Sequence, residues 1–126
     1  MLKLILVLLG GAAGTGCRYG MSVLVYSLIE RPKFPYANLI INVSGSFAIG
    51  VLAELFDGRA QGSPAIRAAL LTGFLGGYTT FSSFSHETYL LIREGAWFRA
   101  ALNAGGSVLL GLIAVWAGAR LAQSLW

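Results

Sequence analysis

Residues 73–84, GFLGGYTTFSSF, place adjacent glycines, four small hydroxyl residues and two phenylalanines three positions apart inside a hydrophobic run of membrane length. Glycine pairs and stacked hydroxyls expose and compete for backbone hydrogen bonds. In hydrocarbon such groups survive only where protein or a water-filled cavity covers them. The segment is therefore expected to be a broken helix at a polar site. Phe81 and Phe84, spaced i, i+3, share one helical face, with Ser82, Ser83 and Ser85 interleaved. Aromatic ring edges carry positive partial charge, so a pair of rings turned edge-on can line an anion path without a formal charge. The rival reading of two phenylalanines in such a helix is plain lipid or core contact.

Few other polar side chains lie at depth, and each has a functional and a structural reading. Arg18 sits in GGAAGTGCRYG, a glycine-rich stretch that permits close helix approach. It either reaches backbone carbonyls or the interface, or sits in an aqueous vestibule where it raises local anion concentration. Asn42, in NLIINVSGSF, supplies two donors and an acceptor. By itself it reads as interhelical glue or as a contact to a bound ion. Asn103, Ser107 and Gly111 recur at steps of four, as a packing stripe or a hydroxyl track. His86 and Glu87 fit a capping or vestibule role, and Glu54 and Asp57 fit solvated helix ends. No metal-ligand spacing, catalytic triad or phosphate loop is present.

These residues must be positioned by membrane helices. The 126 residues are 56% hydrophobic and 11% charged, with mean hydropathy +0.73, far outside soluble norms. A hydrocarbon core about 30 Å thick takes roughly 20 apolar residues per helix. Four runs meet this, at about 2–29, 36–56, 65–92 and 98–125, and together form one four-helix transmembrane domain over 1–126. Between them stand knots of charge and helix breakers, Glu30-Arg31-Pro32-Lys33, Asp57-Gly58-Arg59 and Arg93-Glu94-Gly95. Trp97, Trp116 and Trp126 are candidates for the interfaces, Trp116 the deeper. A signal peptide over the first run is disfavoured, since its removal would leave three helices. The single Cys17 forms no intrachain disulfide and reads as a small packing residue.

The net charge of +4 does not indicate nucleic acid, because the basic residues are scattered over the loops without a basic run. Lys3, Arg59, Arg67 and Arg120 fall on one side of a four-helix topology, and Arg31, Lys33, Arg93 and Arg99 on the other. Such balance gives almost no instruction about insertion. Both orientations are open to the chain, as is an antiparallel dimer of the two.

Gly76, Gly77, Thr79, Thr80, Phe81, Ser82 and Phe84 form the pattern GGxTTFSxF. With the glycine-rich segment around Arg18 and with Asn42, it resembles the Fluc (CrcB-type) fluoride channels over essentially the full length. The resemblance implies an all-α protomer of four transmembrane helices, the third broken near its middle, paired with an inverted copy in a dual-topology homodimer with two fluoride pores. It implies a structural sodium ion at the dimer centre, held by main-chain carbonyls at positions matching Gly76 and Thr79. Asn42, Phe81 and Phe84 match the pore amide and aromatic pair, and Ser82, Ser83 and Ser107 the hydroxyls beside them. Arg18 and Glu87 match vestibule or pore-mouth positions. The family often has threonine where Ser83 stands, and tyrosine and a second serine where Asn103 and Gly111 align.

The implied function is passive fluoride export across the cytoplasmic (inner) membrane of a bacterium, and no enzymatic activity. A small multidrug transporter is a different class with a similar plan, but its proton coupling needs a carboxylate in the first helix, where residues 2–29 have none. A non-transporting assembly subunit would leave the glycine-rich break unexplained.

Overall fold

The computed structural model describes residues 1–30, 32–58 and 62–125. Arg31, Arg59 and Trp126, which figure in the charge count and among the interface tryptophans, lie outside the described residues. The described chain is helical, without strands: α1 Leu2–Leu28, α2 Tyr36–Asp57, α3 Pro64–Ala68, a π-helical segment Ala69–Leu75, α4 Gly76–Tyr78, α5 Phe81–Arg93 and α6 Trp97–Gln123. Among the described residues three helices are long and apolar enough to cross a membrane: α1, α2 and α6, with mean hydropathies of 1.3, 1.8 and 1.7. The third hydrophobic run is divided among α3, the π-helical segment, α4 and α5.

Local chemistry fixes the ends of these pieces. Ser63 caps α3 by accepting from the Ala65 amide, and Pro64, with no N–H to satisfy, opens the helix. Thr80 caps α5 by accepting from the Ser83 amide at 3.3 Å. Gly95, at φ 73°, ends α5 in the left-handed region that favours glycine, and its amide and that of Ala96 bond back to Ile92 and Leu91.

Two glycine-mediated crossings hold the helices together. α1 lies against the π-helical segment and α4: a Cβ on Gly14 would collide with the Phe74 carbonyl, and one on Gly77 would come 2.5 Å from the Gly11 carbonyl oxygen. α2 lies along α6, where a Cβ on Gly50 or Gly118 would strike the backbone of Val115 or Phe47. Backbones can approach this closely only because no side chain intervenes, and in lipid such van der Waals contact is a main source of helix association. Ile41 and Asn103 are the largest fully buried side chains. Leu8, Leu9, Leu109, Leu112 and Trp116 are exposed, as suits faces turned to acyl chains.

Polar contacts also tie the two ends of the helices. At one, Arg67 pairs with Asp57 at 2.7 Å and Gln123 donates to Glu54 at 3.0 Å. At the other, Arg99 donates to the Lys33 carbonyl at 2.8 Å.

Candidate functional site

The site is organised by two residues that leave the helix. Thr79 (φ −86°, ψ 158°) and Thr80 (φ −151°, ψ 121°) are extended between α4 and α5. Their backbone groups need partners, and α2 supplies one side chain that meets two of them. Asn42 Nδ2 donates to the Thr80 carbonyl at 3.2 Å, and Asn42 Oδ1 accepts from the Thr80 amide at 3.0 Å. The side-chain amide thus substitutes for a neighbouring peptide. One Nδ2 hydrogen remains, because the amide has two and the Thr80 contact uses one.

In a continuous helix the Thr80 amide would bond to the Gly76 carbonyl, and the Ser83 amide to that of Thr79. Here the first goes to Asn42 Oδ1 and the second to Thr80 Oγ1. Side-chain competition therefore releases the carbonyls of Gly76 and Thr79 from the helical ladder. The Thr79 amide and hydroxyl both donate to the Leu75 carbonyl, at 2.9 and 2.8 Å, which secures the end of α4.

A cavity of about 400 Å³ lies beside the break. Asn42, Gly76, Thr79, Phe81, Phe84 and Ser107 all line it, with Thr80, Ser46 and apolar neighbours. Among the described residues no ionisable side chain lines it. The Phe81 and Phe84 ring centroids are 5.6 Å apart and the planes tilt by 41°, with Phe81 79% exposed on the chain. Ser107 Oγ is buried without a hydrogen-bond partner among the described residues.

The other candidates lie elsewhere. Arg18, Ser83 and Glu87 line a second depression of about 290 Å³ with Thr15, Tyr26 and Asn38, and Thr80 borders both cavities. Ser82 is exposed and lines neither, its hydroxyl 3.4 Å from Thr80 Oγ1. His86 is exposed. Asn103 points to α5, donating to Thr88 Oγ1 at 2.8 Å, and Thr88 in turn donates to the Phe84 carbonyl at 2.8 Å. Gly111 faces α2, where an added Cβ would sit 3.4 Å from Ser46 Oγ.

Two residues that the sequence reading did not name, Thr88 and Asn38, join the network around the site. The buried Asn38 donates to Glu87 Oε2 at 2.8 Å. Its spacing of four from Asn42, placing both amides on one face of α2, is the signal that could have found it.

Residues 5–119 match the family model described as CrcB-like protein, Camphor Resistance (CrcB). The chain is 47% identical over 122 residues to the fluoride-specific ion channel FluC of Solibacter usitatus, covering 97% of this chain and 99% of the relative. It is 44% identical over 125 residues to the protein of that name from Coxiella burnetii, covering 98% and 100%. A third FluC, from Methylococcus capsulatus, is 49% identical over 124 residues, 98% of this chain but 54% of the longer relative.

Proposed function

The chain belongs to the CrcB-like protein family, and from that premise we propose that it is a fluoride-selective channel exporting fluoride passively across the cytoplasmic membrane of a bacterium. It is a multi-pass membrane protein and not an enzyme. The observation that carries the reading is the convergence of Asn42, Phe81, Phe84 and Ser107 on one cavity that no ionisable side chain among the described residues lines, in a chain whose near-full-length relatives are named fluoride-specific ion channels.

Fluoride is small and strongly hydrated, so its path must replace water donors with protein ones. The remaining Asn42 Nδ2 hydrogen, the unpartnered Ser107 hydroxyl and the edges of Phe81 and Phe84 are suited to this. A fixed ammonium or guanidinium there would hold the anion too well for conduction, which needs binding weak enough to release. Arg18, in the adjoining depression, instead raises the local anion concentration at the approach. Fluoride that enters a cell as neutral HF and dissociates inside would leave by this route.

The functional unit we propose is an antiparallel, dual-topology homodimer of the four-helix transmembrane unit, with two pores and with the third helix broken at Thr79 and Thr80. A sodium ion fits the break, since a hard cation takes oxygen ligands and the Gly76 and Thr79 carbonyls lack their helical amides. When bound, it would supply the positive charge that draws carbonyls of two subunits together. Gly76 offers a test, because an added Cβ there meets nothing within 4 Å in the chain. Gly76→Leu is expected to reduce the dimer fraction on size exclusion and crosslinking, with Gly76→Ala, whose Cβ meets open space, as the reference that keeps the protomer folded. A normal dimer with unchanged sodium dependence would remove the cation site from the account. Parallel fluoride and chloride efflux from liposomes tests the channel itself.

A further inference from the structure

Arg18 and Glu87 line the same depression of about 290 Å³, yet they do not pair. Among the described residues the one ion pair is Arg67–Asp57. Opposite charges that share a half-buried pocket attract when water is partly excluded, so what engages the carboxylate decides whether the two can pair. The structure supplies a tether: Asn38, on α2 and only 6% exposed, donates from Nδ2 to Glu87 Oε2 at 2.8 Å. A hydrogen bond to an ionised acceptor is among the stronger kinds, and a buried amide in the first turn of a helix has little freedom to leave. Glu87 also lines the neighbouring depression of about 350 Å³ that opens toward Lys33 and Arg99, so its carboxylate sits where the two spaces meet.

We infer that Asn38 is a positioning residue for anion passage: it holds the Glu87 carboxylate against α2 and away from Arg18, leaving the guanidinium to attract anions. The inference rests on the fluoride-channel reading. Without the tether the carboxylate is free to turn toward Arg18, the cation among the described residues that lines the same depression; the guanidinium is then neutralised and the approach loses its attraction for fluoride.

The test compares fluoride efflux from liposomes for the full-length protein, Asn38→Leu, Glu87→Gln and the double variant, at ionic strengths from about 0.01 to 0.15 M, a range over which the screening length falls from about 30 to 8 Å. Asn38→Leu is expected to slow efflux about tenfold, the scale of losing one charge-assisted hydrogen bond, and to flatten the decline of efflux with salt. In the Glu87→Gln background the same substitution is expected to change efflux less than about twofold, because no carboxylate remains to capture Arg18. Asn38→Thr, which restores a donor, is expected to recover part of the rate and keeps the test decisive if the leucine variant folds poorly. Equal losses in both backgrounds, or an unaltered salt dependence, would make Asn38 a packing residue and overturn the inference. Silence of the unsubstituted protein would instead sink the channel reading beneath it.

Discussion

Asn42→Leu is expected to abolish measurable fluoride efflux and to lower the thermal midpoint of the purified protein. Leucine has the branched heavy-atom skeleton of asparagine but none of its polar atoms, so the Thr80 amide and carbonyl would both lose their partner. An unpaired peptide group costs about 1–3 kcal/mol when buried, and the half-buried setting of this pair points to roughly 2–3 kcal/mol for the two together. The Thr80 amide would also be free to return to the Gly76 carbonyl, undoing the geometry of the break. Asn42→Asp separates the effects: it keeps an acceptor for the Thr80 amide, loses the donor to the carbonyl and sets a carboxylate in the anion path. It should melt closer to the unsubstituted protein and still conduct poorly. Efflux near the original rate in both variants would remove Asn42 from the pathway.

Phe81→Ile is expected to slow fluoride efflux at least about tenfold while leaving the fold intact. With 79% of its surface exposed on the chain, the ring contributes little to internal packing. Isoleucine retains apolar bulk but has no ring edge to face an anion. Losing an edge interaction of about 1.5 kcal/mol in the rate-limiting barrier corresponds to roughly a tenfold change. The readout is efflux with dimer content measured on the same preparation. Undiminished efflux would assign Phe81 to lipid contact, and loss of the dimer would assign it to assembly.

Much of this site is legible in the chain, for reasons that differ by residue. The glycine pair and hydroxyl run at 76–83 are costly in lipid wherever they sit, so they mark a polar position in a hydrophobic run without any structure. Helix bounds are nearly as readable, since prolines and charged knots interrupt the hydropathy; the observed Leu2–Leu28, Tyr36–Asp57 and Trp97–Gln123 differ from the expected spans by one or two residues at their ends. The subdivision of the third run is harder to read. Hydropathy averages over about 19 residues, whereas the register of that run depends on individual amides, and the partner that draws off the Thr80 amide is 38 positions away on α2. The π-helical segment Ala69–Leu75 has the composition of an ordinary apolar helix. Ser82 shows the same limit from the other side: period and neighbours place it beside the phenylalanines, whereas on the chain it is exposed and outside the residues that line the cavity. Asn38 is visible only as a second amide on α2, because its importance lies in Glu87, 49 positions later.

Fluoride and chloride efflux, followed with paired electrodes from liposomes holding the purified protein, tests the central claim most directly. The account predicts rapid fluoride release with no chloride release. Silence for both ions from a well-folded dimer, or comparable release of the two, would contradict it.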